Sequence, residues 1–176
     1  ALLTQSSLAF GEWTTYTTAE GLPDHTFFAL AVTNEGKVWI GGMNRITRFD
    51  GKNCETHIVP GDSSRAVTSI AVDKEGDVWF SGSFGVGRFR DGNFTFYSDA
   101  DGIPDERVYH LAIAPNGTVW IATWSGVACF ENGKWSPVLK DGAPLLASTV
   151  AITPDGAVWF GEQRKSSSEP VPQNLN

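Results

Sequence analysis

Gly36-Lys37-Val38-Trp39-Ile40 recurs three times along the chain, as Gly76-Asp77-Val78-Trp79-Phe80, Gly117-Thr118-Val119-Trp120-Ile121 and Gly156-Ala157-Val158-Trp159-Phe160. The four tryptophans are 40, 41 and 39 residues apart in a chain of 176 residues. Short apolar runs repeated at a period near 40 residues are typical of the blades of a β-propeller. The sequence therefore predicts an all-β protein built from propeller blades.

The repeat extends outward from each tryptophan. The third residue before it is always a glycine, which ends a turn sequence such as Asn34-Glu35-Gly36 or Pro154-Asp155-Gly156. Glycine tolerates the positive φ of a tight hairpin, so these positions predict a turn between antiparallel strands. The eighth residue before each tryptophan is always an alanine, at positions 31, 71, 112 and 151. A small side chain there suits the strand closest to the propeller axis, where several strands converge.

A second hairpin follows each of the first three tryptophans, as in Arg48-Phe49-Asp50-Gly51 and Cys129-Phe130-Glu131-Asn132-Gly133. Asp-Gly and Asn-Gly favour tight turns between strands. Each period therefore predicts a blade of four antiparallel strands, named A to D. Strand B, which is Val78-Trp79-Phe80 in the second copy, is apolar on both faces, as expected when blades stack on both sides of it.

The two ends of the chain match complementary halves of a blade. Leu8 to Tyr16 matches strands C and D, whereas Thr149 to Phe160 supplies strands A and B. Pairing of these halves would make one composite blade and remove free sheet edges. With three whole blades, this predicts four blades per chain, in a propeller domain of residues 1–165 followed by a flexible tail of residues 166–176.

The blade count leaves three assemblies open. A ring of four blades requires the blades to splay widely, which makes four a low number for one propeller. Two copies of the chain could instead close an eight-bladed ring with two-fold symmetry, and this homodimer is the assembly that we expect. A closed four-bladed monomer and a piece of a longer repeat array are the alternatives.

Charge and hydropathy argue against two classes of partner. The formal net charge is −7 and the isoelectric point about 4.8, and the chain has no lysine or arginine block longer than Arg164-Lys165. This acidic balance disfavours binding to a nucleic-acid backbone. The sequence also contains no apolar run long enough to span a membrane.

The sequence contains no recognisable catalytic or metal-binding set. Cys54 and Cys129 fall in different blades without Cys-x-x-Cys spacing, so we expect two buried free thiols. The histidines lack the spacing of metal ligands, and His110 is expected to line the core or the central channel. No nucleophile with a base and an orienting group stands out. We therefore expect no cofactor, no metal and a binding protein rather than an enzyme.

A family resemblance rests on Gly21-Leu22-Pro23-Asp24, on its copy Gly102-Ile103-Pro104-Asp105, and on the strand and turn sequences from Phe28 to Gly51. These segments resemble the two-component regulator propeller repeat, and the resemblance covers about residues 8–162. It implies a periplasmic or extracellular sensor propeller, often linked to a membrane histidine kinase, that recognises carbohydrates or other small ligands. The chain differs from that family in having four repeats and in lacking a transmembrane segment and a kinase or regulator domain.

A weaker similarity is to the streptogramin lyases, which are propellers with related tryptophan repeats that use a histidine and a divalent metal. This sequence has no matching His-x-His or His/Glu cluster. A propeller lyase or hydrolase therefore stays an alternative function, and a purely structural assembly unit is a further one.

Candidate ligand contacts lie in the loops at one end of the blades. The A–B and C–D turns share one end, and the B–C and D–A loops share the other, which we name the B–C/D–A face. The repeat frame breaks down in the B–C loops, which indicates positions released from a folding role. The residues predicted to bind ligand in these loops are Met43, Asn44, Arg45, Phe84, Trp124 and Ser125.

The D–A loops contribute two further candidates, His25 and Arg107. Aromatic rings beside amide and guanidinium groups suit a sugar or a peptide, so we expect a small-molecule, glycan or peptide ligand on this face. The alternative is that Phe84 and Trp124 only cap the core between blades. The two Gly-Leu/Ile-Pro-Asp segments are expected to stabilise turns rather than to supply catalytic acids.

Overall fold

The computed structural model describes residues 2–6, 13–23 and 26–162 of the chain. Over these residues the protein consists of seventeen β-strands and two short 3-10 turns, Thr18–Glu20 and Asp99–Asp101. Because its only described helical segments are single turns, none of them could reach across a membrane. The predicted all-β fold is confirmed.

A strand pair, β1 (Leu3–Ser6) and β2 (Trp13–Tyr16), precedes three complete blades. The first blade contains β3 (Phe27–Val32), β4 (Val38–Gly42), β5 (Arg45–Phe49) and β6 (Cys54–Ile58). The second contains β7 (Ser69–Val72), β8 (Val78–Gly82), β9 (Gly85–Arg90) and β10 (Asn93–Tyr97). The third contains β11 (Val108–Ile113), β12 (Val119–Thr123), β13 (Val127–Glu131), β14 (Lys134–Lys140) and a short edge strand, β15 (Ala143–Pro144). A second strand pair, β16 (Ala147–Ile152) and β17 (Val158–Glu162), follows.

Strands that follow one another in sequence are neighbours in each blade, so the predicted A to D order is confirmed. The predicted turns have the backbone that their residues favour: Gly36 and Gly76 have φ of 77° and 89°. At the C–D turn of the second blade, Asp91 and Gly92 both have positive φ, of 50° and 79°, as a two-residue hairpin of the primed type requires.

The register explains the invariant alanine. Ala31 lies directly opposite Trp39, and Ala71 lies opposite Trp79; the remaining two alanines are paired with their tryptophans in the same way. Residues opposite one another in an antiparallel pair project from the same face of the sheet. A methyl group beside the large indole therefore leaves room for the next blade. This is a second reason for alanine at this position, besides the expected crowding of strands near the axis.

The core lies between the blades. Trp39 is 6% exposed, and its ring centroid lies 6.0 Å from that of Phe89 in the next blade. Trp79 is 2% exposed and lies 5.1 Å from Phe130 of the blade after it. Each of these tryptophans is thus buried against strand C of the following blade, which accounts for the apolar character of strand B on both faces.

Hydrogen bonds also join the inner strands of successive blades. The Leu111 amide donates to Ser69 Oγ over 3.0 Å, and the Val150 amide donates to His110 Nδ1 over 3.4 Å. His110 is half-buried between the third blade and β16, in agreement with the predicted core or channel position.

The ends of the described array differ from the expected arrangement. The strand that pairs with β2 is Leu3–Ser6, which precedes the stretch from Leu8 assigned to strand C. Leu3 packs against the buried cluster of Leu22, Ile40 and Phe49, which accounts for the position of β1. Residues 7–12 lie outside the described residues, as do residues 163–176, which include the predicted tail.

Over the part of the chain that the structure describes, the two halves of the expected composite blade are not paired with each other. Among the described residues, β1–β2 and β16–β17 are two separate two-stranded sheets with no hydrogen-bonded pairing between them. The three complete blades lie between the two pairs along the array.

Candidate ligand-binding face

The B–C turns and the D–A loops lie together at one end of the blades, and backbone hydrogen bonds join them. The Asn44 amide donates to the Arg65 carbonyl over 2.6 Å. In the same way, the Gly85 amide donates to the Glu106 carbonyl over 2.8 Å, and the Trp124 amide donates to the Arg107 carbonyl over 3.0 Å. These bonds bring each B–C turn into contact with a D–A loop.

Trp124 is a large aromatic residue that is exposed on this face. Its side chain is 55% exposed, and the guanidinium carbon of Arg107 lies 4.6 Å from the centre of its ring. The ring of Tyr109 lies 6.3 Å away. A guanidinium at this distance from an indole makes a favourable cation–π contact. The structure therefore brings together Arg107 and Trp124, two of the predicted ligand contacts, in one exposed cluster.

Asp105 holds this cluster in place. Arg107 Nε donates to Asp105 Oδ1 over 2.9 Å, and Arg107 Nη2 donates to Oδ2 over 2.8 Å. Ser125 Oγ, a third predicted contact, also donates to Asp105 Oδ2, over 2.9 Å. The hydrogen bonds from Arg107 hold the pKa of Asp105 well below its usual range, and Asp105 in turn raises the pKa of Arg107. The ion pair thus persists throughout the neutral pH range and orients the guanidinium over the indole.

Sequence reasoning assigned Asp105 only to a turn. It does stabilise the loop, because its Oδ1 also accepts the Arg107 amide over 2.9 Å. The preceding segment behaves as expected of a turn: Gly102 has φ of 102° and Ile103 is 3% exposed. The spacing Asp105-x-Arg107 was the signal for an ion pair, but the hydrogen bond between Asp105 and Ser125 depends on contacts between loops.

A second arginine and aromatic pair lies on the same face between the first and second blades. The guanidinium carbon of Arg65 lies 5.4 Å from the centre of Phe84 and 6.0 Å from that of Phe96. Arg65 Nη1 donates to the Pro60 carbonyl over 3.1 Å. Gly61 has φ of 113°, and a Cβ there would lie 2.6 Å from the guanidinium carbon, so the glycine permits this close approach.

Arg65 was not predicted, although a signal was present. It precedes Trp79 by 14 residues, and Arg107 precedes Trp120 by 13. Next to Arg65 is a surface groove of about 450 Å³, lined among others by Phe84, Ser64, Ser98 and Glu106. Phe84 is half-buried and also packs against the core between the first two blades, so it contributes both to the core and to the groove.

The remaining predicted contacts lie at the turn of the first blade. Asn44 has φ of 55°, and its Oδ1 is buried without a hydrogen-bond partner among the described residues. Met43 is 39% exposed, and its carbonyl accepts a hydrogen bond from Arg45 Nε over 3.0 Å. Met43 is therefore more accessible to a ligand than Asn44 is. His25 lies outside the described residues.

Groups suited to metal or thiol chemistry are not gathered on the part of the chain that is described. Within it, no three or more His, Cys, Asp or Glu side chains are grouped so that they could hold a metal ion. Cys54 and Cys129 are free and half-buried, and burial raises the pKa of both thiols.

Residues 102–125 match the sequence model of the family described as two component regulator propeller. The matching segment begins at Gly102 and contains Asp105, Arg107, Trp124 and Ser125, which are the residues of the exposed cluster. The resemblance inferred from the sequence is therefore confirmed. A comparison with functionally curated proteins found none whose sequence matches this chain.

Solved propeller structures are similar to the chain at low sequence identity. The extracellular domain of the putative one component system BT4673 from B. thetaiotaomicron is 18% identical with a TM-score of 0.68, over 90% of this chain and 23% of that chain. Virginiamycin B lyase from Staphylococcus aureus is 21% identical with a TM-score of 0.64, over 80% of this chain and 50% of that chain. YCF48 bound to D1 peptide is 16% identical with a TM-score of 0.64, over 91% of this chain and 53% of that chain.

The propeller fold is shown by these likenesses. The chain spans about half the length of the lyase and of YCF48, and less than a quarter of the BT4673 domain.

Proposed function

We propose that this protein is a non-enzymatic, sensor-type propeller that binds a carbohydrate or a peptide on the B–C/D–A face. The observation that carries the proposal is the presentation of Trp124. Its indole is 55% exposed, and Arg107, held by Asp105, lies 4.6 Å from the centre of the ring. A preorganised flat apolar surface beside oriented polar groups suits the face of a sugar ring or an apolar peptide side chain.

The family match supports a sensor role. The segment that matches the two component regulator propeller model, residues 102–125, contains the residues that form the Trp124 cluster. The extracellular domains of putative one- and two-component systems are among the structures with the same fold. The groove beside Arg65 and Phe84 would extend the binding surface along the same face toward the first blade.

Removal of the exposed indole tests the proposal. The protein is screened against glycans and peptides by intrinsic tryptophan fluorescence, and each hit is measured again with Trp124→Ala. We expect the substitution to weaken binding by about 2 kcal/mol, a hot-spot-sized loss of about thirty-fold, while most of the stability is retained. Trp13→Ala is the matched control. Trp13 is 70% exposed, and as the first residue of β2 it lies at the end of that strand away from the B–C/D–A face.

Two outcomes contradict the ligand-binding assignment. One is unchanged affinity of Trp124→Ala together with a large fall in melting temperature, which would make Trp124 a packing residue. The other is the absence of binding to both ligand classes under conditions in which the protein is folded.

The proposal includes a homodimer. The strand pair β16–β17 corresponds to strands A and B of a blade, and β1–β2 corresponds to strands C and D. Two copies, each with three complete blades, would therefore form an eight-bladed ring with two composite blades. In such a ring, the B–C/D–A faces of both copies would lie on the same side.

A further inference from the structure

The second blade shows how a tryptophan is buried at the junction between two blades. The ring of Trp79 lies 5.9 Å from Tyr97 of its own blade and 5.1 Å from Phe130 of the next blade. Tyr97 and Phe130 lie 5.3 Å apart, so the three rings form one cluster. This cluster joins strands B and D of one blade to strand C of the following one.

The first end of the described array contains the same pair of rings without a tryptophan. Tyr16 of β2 lies 4.8 Å from Phe49 of β5. Tyr16 precedes Gly21-Leu22-Pro23-Asp24 at the distance at which Tyr97 precedes Gly102-Ile103-Pro104-Asp105, so the two tyrosines occupy equivalent positions. Phe49 and Phe130 are likewise equivalent, because each is the tenth residue after the tryptophan of its blade.

The other end of the array contains the unmatched tryptophan. Trp159 of β17 is 67% exposed, whereas Trp39 and Trp79 at the same repeat position are 6% and 2% exposed. Trp120, which is followed by the strand pair β16–β17 rather than by a complete blade, is half-buried. Exposure at this position therefore rises where the following blade lacks strands, which indicates that Trp159 has a missing neighbour.

The inner strand of the first blade shows the complementary deficit. Leu30 of β3 is 52% exposed. The side chains at the same repeat position in the following inner strands, Ile70, Leu111 and Val150, are 7%, 3% and 1% exposed. Each of these is covered by the inner strand of the preceding blade, whereas no inner strand of a preceding blade lies beside Leu30 among the residues that the structure describes.

We propose that a second copy of this chain supplies the missing groups. In the inferred seam, β16–β17 of one copy lies beside β1–β2 of the partner copy, Trp159 packs on the Tyr16 and Phe49 rings, and β16 covers Leu30. This inference rests on the proposed homodimer and specifies its contact surface. Two-fold symmetry repeats the seam, so that both exposed ends of both copies are buried.

The occupant follows from the match between the two ends. The acceptor end has strands C and D and an aromatic pair, and the donor end has strands A and B and the tryptophan that completes it. In the described part of one chain these two strand pairs are not hydrogen-bonded to each other, and the three complete blades lie between them in sequence.

Sedimentation and light scattering of surface variants test the seam. The unmodified chain is expected to have twice the mass of one chain, and Leu30→Asp and Trp159→Ala are each expected to halve that mass. Ile58→Asp is the matched control, because Ile58 is 56% exposed in the outer strand of the same blade as Leu30. This variant should keep the mass of the dimer. Circular dichroism establishes that each variant is folded, and Leu30→Ser is a milder substitution if Leu30→Asp unfolds the chain.

Mixing the two variants tests the donor and acceptor polarity of the seam. The Leu30→Asp chain retains Trp159, and the Trp159→Ala chain retains Leu30, so an equimolar mixture can form one intact seam. We expect the mixture to recover the dimer mass, whereas either variant alone remains at the mass of one chain.

The outcomes separate the seam from the proposals on which it rests. A dimer that survives both substitutions, or a mixture that stays monomeric, overturns the seam while leaving a homodimer through another surface. An unmodified chain with the mass of one copy overturns both the seam and the homodimer. Neither result bears on ligand binding, which the Trp124→Ala titration tests separately.

Discussion

Trp79 illustrates at the scale of one residue how the repeat is stabilised. Its ring is buried between two blades, and its Nε1 donates to Asp73 Oδ2 over 3.0 Å. We expect Trp79→Ala to lower the free energy of unfolding by about 3–5 kcal/mol, because it leaves a cavity between the blades. Chemical denaturation followed by circular dichroism measures this loss, which is large compared with the total stability of a typical domain.

Trp124→Ala is the control for this experiment, because the same substitution there removes a ring that is 55% exposed. Its loss of stability should stay below about 1 kcal/mol. Equal losses at the two positions would show that burial between blades is not what distinguishes them.

At the scale of the element, a buried carboxylate joins the strands of the second blade. Asp77, whose side chain is 5% exposed, immediately precedes β8 and accepts hydrogen bonds from Arg88 Nε over 2.8 Å and Arg90 Nε over 2.7 Å in β9. Asp77→Ala leaves both guanidinium groups without this partner. We expect it to cost about 2–3 kcal/mol, less than a fully buried pair, because Arg90 is half exposed. Urea denaturation measures the difference.

The pair Arg48–Glu55 provides the comparison in the first blade. It also joins neighbouring strands, but its side chains are 43% and 52% exposed. Glu55→Ala should therefore change the free energy of unfolding by less than about 1 kcal/mol. A cost at Asp77 no larger than that at Glu55 would contradict a stabilising role for the buried carboxylate.

At the scale of the whole molecule, the proposed ring couples folding to association. A dimer that buries apolar surface at two seams is stabilised by mass action, so its melting temperature should rise with protein concentration. Differential scanning calorimetry over a hundred-fold range of protein concentration measures the effect. Over this range the stabilisation by mass action changes by about 2.7 kcal/mol. Leu30→Asp should abolish the dependence. An unmodified chain whose melting temperature does not change with concentration would argue for a monomer.

The parts of the fold that were predictable depend on local or periodic signals. The glycines at positive φ, the Asp-Gly and Asn-Gly hairpins and the apolar strand B each follow from residues within a few positions of one another. Repetition of these signals at a period near 40 residues then indicates blades. Divergence from the repeat in the B–C loops also identified Trp124 and Ser125 as candidates, because a fixed frame makes exceptions visible, and Arg107 was a candidate from its place in a D–A loop.

The candidate site was only partly predictable. The contact between Arg65 and Phe84 joins a D–A loop to the next blade, and neither residue belongs to a motif that includes the other. The hydrogen bond from Ser125 to Asp105 likewise depends on how two loops meet. Sequence spacing does not determine such distances, because they are set by the packing of one blade on another.

The sequence by itself determined the blade, its turns and the kind of residue at each repeat position, because short-range sterics and hydrophobic periodicity act within one blade. Only the tertiary structure decided which loop residues meet and which repeat positions stay exposed. Trp159 and Trp79 occupy the same position in the repeat, yet one is 67% and the other 2% exposed. The physical reason is that burial of a blade face depends on the neighbour stacked against it, and only the three-dimensional arrangement specifies that neighbour.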